Sequence, residues 1–146
     1  MVAMNPSHAT VYGAPSVDFP MGTFTVEPGG SDLHPGPHGE YAVVRWIAPE
    51  AGRYVIKAKF RGEAGFSGTQ ATTTDVYVQL NGSDIVTGSI NLHGSGNEVP
   101  LERKISVDKK NTVDFLVGYG NRSYLFDSTE LSAEICLIPP SGCGAN

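Results

Sequence analysis

Hydrophobic and polar residues alternate along much of the chain with a period of two, the spacing of strands whose successive side chains point to opposite faces. Over residues 53–61, Tyr54, Ile56, Ala58 and Phe60 fall on one side, and Arg53, Val55, Lys57, Lys59 and Arg61 on the other. Residues 41–48 set Ala42, Val44 and Trp46 against Tyr41, Val43, Arg45 and Ile47, so Trp46 reads as core. Residues 74–80 turn Val76, Val78 and Leu80 inward and Asp75, Tyr77 and Gln79 outward. Asn81-Gly82 follows, a pair that accepts the left-handed backbone of a type I′ turn and so predicts a hairpin into residues 84–92. The pattern resumes with Val99, Leu101, Arg103, Ile105 and Val107, then Val113, Phe115 and Val117, and finally Leu131, Ala133, Ile135 and Leu137. Residues 23–26 and 124–127 add short candidates. About eight or nine strands with frequent turns and no helical period make a sandwich or barrel. The expected fold is all-β: a two-sheet antiparallel β-sandwich of the jelly-roll kind.

Composition narrows this picture. A chain of 146 residues with 40% apolar and 17% charged residues has the length and balance for one hydrophobic core, and 18 Gly with 10 Pro suit many tight turns. Residues 1–32, with Pro6, Pro15, Pro20, Pro28 and Gly29-Gly30, read as an irregular N-terminal arm packing on the domain. Residues 33–138 form the sandwich and 139–146 a C-terminal tail. No repeat of fixed period marks a propeller or solenoid. The net charge of −5 argues against nucleic acid as a partner, since phosphate binding draws on basic patches. No apolar run approaches the roughly 20 residues that span a bilayer, so a membrane is not expected either. The expectation is a secreted, extracellular domain whose export signal has been removed. Cys136 and Cys143 flank Leu137-Ile138-Pro139-Pro140-Ser141-Gly142. A disulfide closing this loop and a pair of free thiols, one buried and one in the tail, both remain open.

Four stretches carry a resemblance: residues 33–46 (Leu33-His34-Pro35-Gly36-Pro37-His38-Gly39-Glu40-Tyr41-Ala42-Val43-Val44-Arg45-Trp46), Ala48-Pro49-Glu50-Ala51-Gly52-Arg53-Tyr54, Thr72-Thr73-Thr74-Asp75-Val76 and Phe126-Asp127-Ser128-Thr129-Glu130-Leu131. Together they resemble a β-sandwich domain of exported bacterial proteins of the PEP-CTERM type and of modular extracellular proteins. The resemblance spans residues 33–138 and implies the fold; that domain has no activity to carry over. More loosely, residues 124–135 resemble the last strand of jelly-roll carbohydrate-binding modules. There an acidic residue at this place ligates a structural calcium beside the N-terminal segment, and Asp127 is the residue that matches.

Individual groups admit both chemical and plainer roles. His34, His38 and Glu40 give a His-x-x-x-His-x-Glu string, but Pro35 and Pro37 disfavour the helix that would align the imidazoles, and a rigid loop is the plainer reading. No Gly-x-Ser-x-Gly nucleophile setting occurs, the carboxylates are scattered, and Gly118-Tyr119-Gly120 opens no phosphate loop. No enzyme activity is therefore expected. Asp127 is the first candidate calcium ligand, with Asp18, Glu27 and Asp32 as arm-side partners; its alternative is capping a turn through Ser128-Thr129. Arg53, Lys57, Lys59 and Arg61, taken to face Tyr77 and Gln79 on a pairing strand, combine cations, an aromatic plate and an amide, as a polysaccharide or glycan platform would. The alternative is a solvated face whose lysines discourage edge pairing. Phe66, Tyr119 and Tyr124 offer a second aromatic cluster in the loops. The leading expectation is a non-catalytic carbohydrate-binding-type module with a structural calcium. The alternative is an assembly domain that forms a homo-oligomer like the TNF-like and complement heads, suggested by residues 51–56 and 78–82. The sequence leaves the oligomeric state open.

Overall fold

The computed structural model describes residues 11–12, 23–26, 32–36, 38–62, 72–91, 98–120 and 127–138. Ten strands run through them: β1 (Val11–Tyr12), β2 (Thr23–Val26), β3 (Asp32–Leu33), β4 (Ala42–Ile47), β5 (Gly52–Gly62), β6 (Thr73–Leu80), β7 (Ser83–Asn91), β8 (Glu98–Val107), β9 (Thr112–Gly118) and β10 (Thr129–Ile138). They make two antiparallel sheets. The six-stranded sheet is ordered β1-β3-β10-β5-β8, with β2 also on β10, and the four-stranded sheet β4-β9-β6-β7. No helix occurs among the described residues. The fold is the expected all-β jelly-roll sandwich.

Alternation decides which residues meet between the layers. From the six-stranded sheet come Tyr54, Ile56, Phe60, Leu131, Ile135, Ile105 and Val107; from the four-stranded sheet Ala42, Val44, Trp46, Val113, Phe115, Val117, Val76 and Val78, all buried. Trp46 is core as expected and meets Tyr54 edge-on at a centroid distance of 4.9 Å. Phe60 meets Phe115 across the layers at 6.4 Å. The β6–β7 hairpin turns at Asn81 (φ 51°) and Gly82 (φ 82°), the two positive φ values that a type I′ turn requires.

One expectation needs correction. The strand of residues 53–61 does not pair with that of 74–80: β5 lies between β10 and β8, whereas β6 lies between β9 and β7. The chain passes from one sheet to the other between them, and the apolar faces of the two strands meet the core from opposite sides. Within the N-terminal arm, the strand expected at residues 23–26 is β2, which pairs in register with Ala133–Cys136 of β10. Cys136 is buried and disulfide-bonded; Cys143 lies outside the described residues.

One end of the sandwich is closed by a polar seam between the sheets. Thr72 Oγ1 donates to the Ser128 carbonyl (3.2 Å), Thr73 N–H donates to Asp127 Oδ1 (2.8 Å), and the hydroxyls of Thr74 and Thr129 lie 3.1 Å apart. Buried hydroxyls stabilise only as a pair. Thr74→Val or Thr129→Val alone is therefore expected to cost about 1–2 kcal/mol by stranding its partner, and the double variant much less than the sum. Urea unfolding of the three variants measures this; additive losses would contradict it.

Candidate functional site

The outer face of the four-stranded sheet is built in rows fixed by register. Val43, Leu116, Tyr77 and Thr87 form one row and Arg45, Asp114, Gln79 and Asp84 the next. On the other side of the first row, Gly118, Asp75 and Ser89 align. Because Gly118 has no side chain, the Tyr41 ring can lie across it. A Cβ there would come within 2.7 Å of Tyr41 Cε1 and 2.5 Å of Asp75 Oδ1. Tyr41 thus meets Tyr77 edge-on, with centroids 5.8 Å apart and planes at 79°.

Hydrogen bonds lock these groups. Tyr77 Oη donates to Asp75 Oδ2 (2.6 Å), while Asp75 Oδ1 accepts from the Gly120 N–H (2.8 Å). The hydrogen bond to Asp75, aided by burial and the nearby charge, raises the Tyr77 pKa and keeps the phenol a donor. Gln79 Nε2 donates to Asp84 Oδ1 (2.9 Å). Arg45 places Nε and Nη2 on the two oxygens of Asp114, each at 2.7 Å, with Asp114 only 4% exposed.

Tyr41, Tyr77, Gln79, Asp84 and Leu116 line a cavity of about 290 Å³. Farther along β6, Thr73, Asp75, Ser89, Asn91 and Gly120 border a second of about 560 Å³. The surface therefore offers aromatic edges and faces, an amide and carboxylate oxygens, with its arginine already engaged by Asp114. Gly118→Ala is expected to displace Tyr41 and Asp75 and to destabilise the fold on the order of 1–3 kcal/mol. The ring-proton shifts of Tyr41 and Tyr77 and a urea melt report both effects, and unchanged shifts would contradict the packing described.

The expected site residues are divided between two faces. Tyr77 and Gln79 lie in the smaller cavity. Arg53, Lys57 and Lys59 lie on β5 in the other sheet, where Arg53 and Lys57 are exposed and Lys59 is half-buried. There Lys57 sits in register between Glu102 and Glu134, Lys59 pairs with Glu98 (3.4 Å), and Arg61 with Glu130 (3.8 Å). Such pairs contribute little to stability, but they leave the stripe a self-neutralised, solvated face. Among the residues that line the aromatic face, sequence reasoning passed over Tyr41, Asp75, Asp84 and the Arg45–Asp114 pair. Tyr41, Arg45 and Asp75 share outward parity with Val43 and Tyr77, which was the available signal.

Asp127 is fully buried at the seam. Oδ1 accepts from Thr73 N–H (2.8 Å) and Thr73 Oγ1 (3.3 Å), while Oδ2 is buried with no hydrogen-bond partner among the described residues. Burial pushes its pKa up to about 7; the Thr73 hydrogen bonds oppose this rise and the charge of Asp75 adds to it. No group of three or more His, Cys, Asp and Glu side chains suited to a metal forms among the described residues. Asp18, Glu27, Phe66 and Tyr124 lie outside those residues, as does the side chain of Asp32. His34 Nδ1 lies 2.8 Å from the Pro35 carbonyl oxygen, and His38 N–H donates to Glu40 Oε2 (2.8 Å), which fits the rigid-loop reading of that string.

No family model and no curated protein matches this chain. Solved structures do. A structure of CBM51-2 in complex with GlcNAc and INT domains from Clostridium perfringens ZmpB is similar at TM-score 0.51 and 8% identity, over 91% of this chain and 31% of that one. A family 35 carbohydrate-binding module from an environmental isolate gives TM-score 0.40 and 15% identity over 96% and 97% of the two chains, and rabbit GITRL 0.44 and 14% over 75% and 95%. At these identities the likeness is one of fold: the chain is a jelly-roll sandwich similar in architecture to a carbohydrate-binding module.

Proposed function

We propose that this chain is a non-catalytic carbohydrate-binding-type module that holds a neutral glycan on the outer face of its four-stranded sheet. The observation that carries this reading is the cavity formed by Tyr41, Tyr77, Gln79, Asp84 and Leu116. Tyrosine faces accept the C–H faces of a pyranose, and the amide and carboxylates hydrogen-bond its hydroxyls. Asp75 and Asp84 would repel an anionic sugar, and Arg45 already has both carboxylate oxygens of Asp114, so the face favours uncharged rings. The shared architecture with a carbohydrate-binding module supports the same reading. A glycan array probed with the purified chain tests it: neutral glycans are the expected ligands, and an empty array or one limited to sulfated and uronic-acid glycans would overturn it.

A structural calcium belongs to this proposal. Asp127 Oδ2, without a partner among the described residues, is an oxygen that such an ion would take. The disulfide at Cys136 supports an extracellular setting, since such bonds persist in oxidising compartments. A second reading is an assembly domain that forms a homo-oligomer. Light scattering separates the two: a monomer fits the module, and a stable trimer fits assembly.

A further inference from the structure

Resting on the glycan reading above, we infer that the site is a two-compartment groove along β6 that takes an internal stretch of polysaccharide, at least two consecutive sugar units, rather than a single terminal sugar. The hydrogen bond between Tyr77 and Asp75 links the linings of the two cavities. Asp75 borders the larger one, while its Oδ2 accepts from the Tyr77 hydroxyl that borders the smaller one. Its other oxygen is held by Gly120 N–H, so one carboxylate is oriented from both sides. From Thr73 to Gln79 the strand advances about 20 Å, room for several pyranose rings end to end.

The compartments differ in a way that suits a chain. The smaller supplies the aromatic surfaces of Tyr41 and Tyr77, whereas the larger has no aromatic ring in its lining among the described residues and combines the hydroxyl and amide groups of Thr73, Ser89 and Asn91 with Ile90. The wall between β6 and the segment after β9 depends on Gly120 (φ 54°), where a Cβ would come within 2.9 Å of the Thr73 carbonyl oxygen. Backbone therefore approaches backbone there, and the larger compartment is built from both. Ser89 is exposed on β7, the end strand of the sheet, so among the described residues the groove is open along that side. A chain can pass through it without ending in it.

Titration calorimetry of the full chain with ladders of one to six units, built on glucose, xylose, mannose and galactose, tests this. For the ladder that binds, affinity is expected to rise at least about tenfold from one unit to three or four and then level off. Ser89→Trp, which fills the larger compartment from its exposed side, is expected to bring the longer members down to the single-sugar value, with its melting curve confirming the fold. If the single sugar binds as tightly as the hexamer, or Ser89→Trp leaves the ladder unchanged, the two-compartment groove is wrong while the module reading stands. If no ladder binds, both fall.

Discussion

Replacing Tyr77 by Ala is expected to weaken neutral-glycan binding at least about tenfold, a loss of roughly 1.4 kcal/mol or more. Three effects act together. The ring is itself a wall of the smaller cavity, it is the surface that Tyr41 meets edge-on, and its hydroxyl occupies Asp75 Oδ2. Removing it deletes one stacking surface, releases the other and leaves a carboxylate oxygen to collect water. Tyr77→Phe keeps the plate and removes the hydroxyl, so its loss should be smaller. The paired change Lys57→Ala and Lys59→Ala should leave affinity unaltered, because those side chains project from the other sheet and are set among Glu98, Glu102 and Glu134. Titration calorimetry against an array-positive glycan provides the measurement. A loss in the lysine variant with Tyr77→Ala unaffected would reverse the assignment of faces.

Asp127 sets a second large effect, on stability. An acid that ionises less readily when folded than when unfolded makes the fold more stable at low pH. Its contribution is complete below the unfolded value near 3.8 and is lost as pH rises through about 7. Each tenfold change in proton affinity is worth about 1.4 kcal/mol, which puts the full span on the order of 4 kcal/mol. With a chelator present, the melting temperature is expected to fall by on the order of 5–10 °C between pH 5 and pH 8. Asp127→Asn keeps an oxygen acceptor for Thr73 and carries no charge, so it should melt higher than the native chain at pH 8 and show little of this slope. Calcium bound at Oδ2 would favour the ionised carboxylate, so adding it at pH 8 should restore the native chain's stability and leave Asp127→Asn unchanged. A native chain whose melting temperature is flat from pH 5 to pH 8, with or without calcium, would contradict this account of the seam.

Much of the fold could be read from alternation alone. The faces of β5 and β6, the burial of Trp46 and the Asn81-Gly82 turn all follow from period and backbone preference, which are local properties. Strand neighbours are not local. The period of two tells which side chains share a face and says nothing about which strand lies alongside, so β5 was matched to β6, its successor along the chain, when its partners are β8 and the far-removed β10. That single misplacement joined Lys57 and Lys59 to Tyr77 and Gln79, groups that the sandwich sets on opposite outer faces. Asp127 shows the same limit in another form. Asp-Ser-Thr reads locally as a turn cap, yet its carboxylate is held by Thr73, 54 residues away. Asp114, flanked by the core residues Val113 and Phe115, gave no sign that it would be buried by Arg45 from β4.

The central claim is that the glycan lands on the four-stranded sheet, and an amide chemical-shift map of the full chain titrated with an array-positive neutral glycan tests it most directly. The account predicts that the perturbed amides cluster on Asp75–Gln79 of β6, Leu116–Gly118 of β9 and the facing part of β7. Perturbations confined to Lys57–Arg61 of β5 and its neighbours on β8 and β10 would contradict it.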